Sequence, residues 1–327
     1  MTGASLYDQV AEETASVVIR RYSTSFGLAS RLLSPPIRRH IENIYALVRV
    51  ADEVVDGEAA LAGLDALAVA RILNDFERDT EAAMQLGYSA NLVIHAFART
   101  ARATGVDVEL TRPFFESMRM DLVQTEHNDA SFETYVYGSA EVVGLMCLKA
   151  FLQGIELTAD ETSRFEHGAR RLGAAFQKVN FLRDLSADFE TLGRSYFPGV
   201  SVDSFTEADK MRLLDDIDVD LRESATVIPL LPATSRRAVA LAQGLFTELS
   251  VRLRATPATS LVRSRVRVPN QVKLRIAASA VSGRVLSGRV LSGRILTGRA
   301  VQAKALVGRE SPAGAQSPPD PTTKAAS

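Results

Sequence analysis

Residues 173–198 read GAAFQKVNFLRDLSADFETLGRSYFP. Within this stretch Gln177, Asn180, Asp184 and Asp188 follow one another at spacings of three, four and four. At about 100° per residue their side chains fall within roughly 80° of one another on a helix. Phe176, Val179, Leu182 and Leu185 lie on its other faces. Carboxylates one turn apart stand about 5–6 Å from each other and repel. A hard divalent cation reverses that sign, because Mg²⁺ is held by oxygen ligands, commonly one or two carboxylates together with phosphates. A solvated helix face would account for the acids. It would not account for the two amides, or for Arg183, Gly193, Arg194 and Tyr196 crowding the same segment.

Upstream, residues 45–57 read YALVRVADEVVDG. Tyr45, Arg49, Asp52 and Asp56 project within about 60° of one another on a helix, again with two aspartates one turn apart. Ile41, Ile44, Leu47, Val48, Val54 and Val55 supply the apolar surface that buries it. A single D-x-x-x-D is a weak signal. Two of them, each beside an arginine and set in apolar sequence, point to facing helices that hold Mg²⁺ around a diphosphate.

These residues carry a resemblance to the squalene/phytoene synthase family, the head-to-head prenyl transferases, most of all to its bacterial phytoene synthases. Leu172-Gly173, Gln177, Asn180-Phe181, Arg183-Asp184, Asp188, Arg194, Tyr196 and Pro198 match that family's signature, and DEVVD (residues 52–56) resembles its other aspartate-rich motif. Ser25-Phe26 resembles its N-terminal segment, and similarity runs from about Tyr22 to Arg275. The resemblance implies an all-α, single-domain isoprenoid synthase bundle around a central apolar cavity. It implies metal ligation by Asp52, Asp56, Asn180, Asp184 and Asp188, catalysis by those aspartates and Tyr135, and substrate binding by Ser25, Phe26, Tyr45, Arg49, Gln177, Arg183, Arg194, Tyr196 and Arg265. The implied reaction condenses two geranylgeranyl diphosphates to phytoene through a cyclopropylcarbinyl diphosphate, with Mg²⁺, or Mn²⁺ in its place. A squalene- or hydroxysqualene-forming enzyme using farnesyl diphosphate is the alternative. An inactive assembly factor of the same fold is the non-enzyme alternative, disfavoured by the intact paired aspartates.

The remaining sequence agrees with one large helical domain over residues 1–280. Hydrophobic residues make up 46% of the 327, enough for a sizeable core, and no alternating β-branched run supports a sheet. The lone Cys147 rules out an internal disulfide and suits a reducing cytoplasm. No secretory signal or membrane-spanning run is read. His40, His95, His127 and His167 form no metal-spaced pair. No phosphate-binding glycine loop or dinucleotide fingerprint is present, so no nicotinamide cofactor is expected.

Along the chain, the spacing predicts a helix to residue 22, a break at Ser23–Ser25, a helix starting at Pro35-Pro36 and closing at Gly57, helices over 58–86, 89–104, 111–126 and 132–153, and two or three more over 204–256. Asp121 belongs either to the polar end of the cavity or to a surface ion pair. Tyr135, Ser139, Val142 and Met146 share a stripe expected to line the prenyl tunnel, with Gly138 and Gly144 allowing close approach. Three residues depart from the family pattern: Val136, Glu141, which projects away from that stripe, and Phe246, where tyrosine is common.

From Arg252 to Arg309 there are thirteen Arg and Lys residues and no acid, leaving 25 basic against 39 acidic residues elsewhere. Residues 281–327, with SGRVL-type repeats from Ser282 and a Pro/Ser/Ala-rich end, have the composition of a disordered tail. No interleaved aromatics accompany the basic run, which argues against nucleic acid; Arg263 to Arg275 are expected to belong to the catalytic domain, and the tail is expected either to meet an anionic membrane surface or to have no partner. The oligomeric state is left open.

Overall fold

The computed structural model describes residues 5–56 and 58–282. The chain divides into two units, Met1–Leu286 and Ser287–Ser327, and the second lies outside the described residues, as do the SGRVL repeats beyond Ser282.

Every described element is helical: α1 (Leu6–Tyr22), α2 (Thr24–Ser30), α3 (Pro35–Val55), α4 (Glu58–Leu61), α5 (Ala66–Leu86), α6 (Leu92–Thr104), α7 (Val108–Met120), α8 (Asp129–Val136), a π turn (Tyr137–Glu141), α9 (Val142–Phe151), α10 (Ala159–Leu192), α11 (Glu207–Ala225), α12 (Ala233–Ala255), α13 (Ala258–Leu261) and α14 (Asn270–Val281), with two short 3₁₀ turns between them. The one β-type pairing among the described residues is an isolated bridge between Glu126 and Ser195.

The ends of the helices follow local chemistry. Ser5 and Asp8 form a reciprocal capping box on α1, and Thr206 with Asp209 does the same on α11. Asp65, Asn91 and Asp107 cap α5, α6 and α7 with side-chain oxygens. Pro35-Pro36 open α3, where the missing N–H groups have no helical partner to lose.

Three boundaries differ from the expectation. Ser23 ends α1 and also caps α2, accepting from the Phe26 N–H, so the expected break is a junction between two helices. Residues 58–86 split into α4 and α5 around a left-handed Gly63. Helix α7 ends at Met120, which turns Asp121 inward rather than along a continuing helix. Gly57 lies outside the described residues.

The expected helix over 132–153 is two helices joined by the π turn. The packing around it is close. A Cβ on Gly138 would sit 2.1 Å from both the Pro113 carbonyl oxygen and Ser117 Oγ, and one on Gly173 would sit 2.5 Å from the Ala140 oxygen. Helices α7 and α10 thus press against the two sides of the turn, and only glycine permits it. Gly144 meets the Ala169 carbonyl of α10 in the same way, as expected.

One apolar core joins α1, α3, α5, α6, α7 and α9 around Leu47, Phe97, Phe114 and Phe115. A second joins α8, α10, α11 and α12 around Leu182, Leu214 and Ile217. Between these two cores lies a large cavity.

Candidate active site

The cavity has a volume of about 950 Å³. Helix α3 presents Tyr45, Arg49, Asp52 and Asp56 to it, and α10 presents Gln177, Asn180, Arg183 and Asp184. Both stripes therefore face one space, as the helical period requires. Ser25 and Phe26 from α2, Tyr135 from α8, Tyr196 and Arg265 also line the wall. Asp188 belongs to α10, but its side chain lies outside the described residues.

Arg194 departs from the expectation that it binds substrate. It does not line the cavity but lies beneath it, 6% exposed, with both terminal nitrogens hydrogen-bonded to protein. Nη1 donates to Asp56 Oδ1 at 3.0 Å and to the Tyr196 hydroxyl at 3.2 Å, while Nη2 donates to the carbonyls of Val55 at 2.9 Å and Asp121 at 3.0 Å. It is a strut joining the end of α3 to the turn after α7. Burial opposes its charge, but Asp121 and its other partners outweigh that and raise its pKa further.

That turn carries Asp121, which proves to belong to the cavity rather than to a surface pair. Its side chain is 4% exposed, it lines the cavity, and its Oδ2 accepts from the Tyr135 hydroxyl at 2.9 Å. Burial pushes its carboxyl up to about 7, against the pull of Arg194 and the Tyr135 hydrogen bond. The available signal in the sequence was an acid at the end of an apolar helix, Met118 to Leu122, which could not say where the turn would point.

Burial and the charge of Asp56 likewise push Asp52 well above the usual carboxylate range, more than Arg49 beside it can offset. Arg49 itself pairs with Glu53 and lies over the Tyr22 ring at 4.6 Å. On the facing side Asp184 is held by cations: Arg265 Nε at 2.7 Å and Arg183 Nε at 2.9 Å from Oδ1. Arg267 and Lys273 join Arg265 in lining the cavity from the segment entering and starting α14, and Lys273 Nζ donates to Thr24 Oγ1 at 3.4 Å.

Among the described residues no three acidic, His or Cys side chains converge into a closed metal cage. The donors still suit a divalent cation shared with a phosphate ligand. Asp52 carries proton affinity raised by burial and by the charge of Asp56, which a cation offsets, and Mg²⁺ needs only one or two protein carboxylates when phosphate supplies the rest.

Away from this end the wall is apolar. Phe176 stacks on Phe246 with centroids 3.9 Å apart and an interplanar angle of 22°, and Phe26 lies 5.6 Å from each. Phe246 thus fills an aromatic cluster with no need of a hydroxyl. Glu141 points outward and pairs with Arg170 at 2.6 Å, as its position predicts, and Val136 is buried in the second core. The Tyr135 stripe needs a correction. Ser139 lines the cavity as expected, but then come Ala140, Val143, Gly144 and Cys147, whereas Val142 and Met146 are buried in the first core. The π turn inserts one residue into the helical count, so every later position on the stripe moves on by one. Burial pushes the Cys147 thiol up to about 12, as suits a small apolar wall residue.

Comparison with known proteins agrees with this geometry. The squalene/phytoene synthase family model matches residues 19–271. A phytoene synthase of Mycobacterium tuberculosis is 29% identical over 288 residues, covering 82% of this chain and 89% of that one. The chloroplastic phytoene synthase 3 of Zea mays is 35% identical over 185 residues, 55% of this chain, which spans only 41% of that protein's length. A crystal structure of a dehydrosqualene synthase superposes with a TM-score of 0.69 at 22% identity, over 85% of this chain and 97% of that one. A squalene synthase from Alicyclobacillus acidocaldarius superposes with a TM-score of 0.65 at 19% identity, over 77% of this chain and 95% of that one. With two acidic stripes facing one end of an apolar cavity, and a family match covering most of the described residues, the chain belongs to the squalene/phytoene synthase family of prenyltransferases.

Proposed function

We propose that this protein joins two geranylgeranyl diphosphates head to head to give phytoene. The observation that carries the reading is the polarity of the cavity: acids, amides and arginines of α3 and α10 at one end, aromatic and aliphatic walls beyond. Ionising a prenyl diphosphate needs its negative charge neutralised as it departs, and needs the allylic cation left behind kept from water.

Asp52 and Asp56 on one wall, with Asn180, Asp184 and, by family resemblance, Asp188 on the other, would hold Mg²⁺. The bound ion supplies Lewis-acid neutralisation of the leaving diphosphate. The chain's own residues do the rest. Arg183 and Arg265 now lie on Asp184, and a diphosphate offers them a stronger, bidentate partner. Their transfer to phosphate frees the Asp184 oxygens. Phe26, Phe176 and Phe246 form an aromatic cluster in the apolar wall, where ring quadrupoles would stabilise a cation lying against them. The first condensation releases one diphosphate and one proton and gives a cyclopropylcarbinyl diphosphate. It loses the second diphosphate in turn, rearranges and loses a second proton.

The test is to incubate the protein with Mg²⁺ and either farnesyl or geranylgeranyl diphosphate, with and without NADPH. Phytoene from the C20 substrate without reductant is expected. A C30 product formed only from farnesyl diphosphate overturns the reading. The six basic residues of 284–309 support peripheral binding to an anionic membrane, into which an insoluble hydrocarbon can pass. Among the described residues no helix is long and apolar enough to cross one.

A further inference from the structure

Helix α14 has two faces. Inward, Val272, Ile276, Ala277 and Ala280 share an apolar cluster with residues of α2 and α12. Outward, Gln271, Leu274, Arg275, Ala278 and Val281 are exposed, Leu274 by 66% and Val281 by 47%. At about 100° per residue, Leu274, Ala278 and Val281 fall within roughly 60° of one another. Arg275 lies about 100° to one side of Leu274, and Lys273 about 100° to the other. This is the pattern of a helix lying in a membrane interface. Apolar side chains point down, and long cations beside them reach the headgroups.

The charge around this face selects its partner. No acid occurs between Arg252 and Arg309. Arg252, Arg254 and Arg265 are held by Glu248, Asp215 and Asp184. Among the described residues, Arg263, Arg267, Lys273 and Arg275 are in no ion pair, and the three arginines are exposed. Other exposed apolar side chains stand beside acids. Leu6 and Val10 flank Asp8, with Glu12 and Glu13 next, and Leu61 and Leu64 lie between Glu58 and Asp65. The chain leaves α14 at Ser282, and six more basic residues follow over 284–309. The segment also lines the cavity with Arg267 and Lys273, so lipid held on α14 lies next to a wall of that cavity.

We propose that the outer face of α14 is a lipid-docking surface of the folded domain. Leu274, Ala278 and Val281 enter the headgroup layer of an anionic bilayer, and Arg263, Arg267, Lys273 and Arg275 meet its negative charges. This rests on the membrane reading given above and extends the contact from the tail to the folded domain.

The experiment uses the full chain, so the tail is present in every variant. Vesicles of phosphatidylcholine are compared with and without phosphatidylglycerol, at low and high salt. Leu274→Gln with Val281→Gln is expected to weaken binding to anionic vesicles about tenfold at both salts, because apolar burial is not screened. Arg263→Gln with Arg275→Gln is expected to weaken it about thirtyfold at low salt and little at high salt. The chain has no tryptophan, so Leu274→Trp reports insertion directly. Its emission should shift to the blue with anionic vesicles, while Val17→Trp, 47% exposed in wild type on α1, should not shift. Binding equal to wild type in both double variants, or an unmoved emission at position 274, overturns the docking face. So does a change of oligomeric state caused by Leu274→Gln without vesicles, which would make the face a contact between copies. A wild-type chain that makes C40 product but binds no vesicle overturns the docking and leaves the condensation standing. One that binds vesicles but makes no C40 product overturns the condensation and leaves the docking standing.

Discussion

Arg265 and Asp184 lie 81 residues apart, yet their side chains meet in the cavity wall with Nε 2.7 Å from Oδ1. The arginine comes from the segment leading into α14, the acid from the middle of α10. The pair holds a metal-binding candidate by the cation expected to take the diphosphate. Its arginine is half exposed, so the pair contributes little to stability. Arg265→Gln is expected to leave the melting temperature within about 2 °C of wild type, since exposed ion pairs contribute about 0–1 kcal/mol. The KM for prenyl diphosphate should rise by at least about tenfold, the loss of a charge-assisted contact. Steady-state kinetics beside a thermal melt checks both, and an unchanged KM removes Arg265 from the substrate site.

Asp52 is expected to separate function from stability. Burial and Asp56 raise its proton affinity, so its charge is unfavourable when no cation is bound. Asp52→Asn should abolish turnover, yet leave the metal-free protein as stable as wild type or more so. Activity assays and melts in chelator test this together. A variant with near-normal rates sinks the metal assignment.

Stability of the metal-free protein should fall as pH rises from about 4 to about 7. The Asp121 carboxyl is raised to about 7 in the folded chain, against about 3.9 when unfolded. Below about pH 4 both states hold the proton and the contribution is fully present. Above that the unfolded chain ionises freely while the folded chain resists, so stability is lost until the pH passes about 7. Denaturant melts in chelator at stepped pH should show the decline, and Asp121→Asn should flatten it. An equal slope in the variant would rule out Asp121 as the source.

The π turn predicts a steric failure. Gly138→Ala places a methyl 2.1 Å from the Pro113 oxygen and from Ser117 Oγ, so α7 must move or the turn must open. Overpacking of this kind costs about 1–3 kcal/mol, occasionally more, and should lower the melting temperature by about 5 °C or more. Gly27→Ala is the control. Its added methyl meets nothing nearer than the Ile19 oxygen at 3.6 Å, and alanine favours helix α2. Equal melts for the two variants would show that the close approach at Gly138 is not obligatory.

Truncation after Ser282 leaves α14 whole and removes the Arg-containing repeats. Co-sedimentation with anionic liposomes at low and high salt should show weaker binding than the full chain at low salt, and no difference at high salt. Equal binding at low salt would exclude the repeats as the anchor.

Helical class and both polar stripes were legible in the sequence, because the α-helical period is local. Tyr45, Arg49, Asp52 and Asp56 on α3, and Gln177, Asn180 and Asp184 on α10, face the cavity as their spacing of three and four demands. Where the period itself is broken, the reading slipped. The π turn, packed closely between α7 and α10 at Gly138 and Gly173, moved the tunnel stripe from Val142 and Met146 to Val143 and Cys147. Contacts between distant segments decided the rest. Arg194 became a buried strut because Val55, Asp56 and Asp121 converge on it, 139, 138 and 73 residues away. Asp121 entered the site because α7 stops at Met120 and turns its carboxylate toward Tyr135. A repeat of three and four residues determines which side chains share a helix face. Which faces meet, and whether an acid between them ends beside a cation, a phenol or water, depends on packing across the whole chain, and no local spacing encodes it.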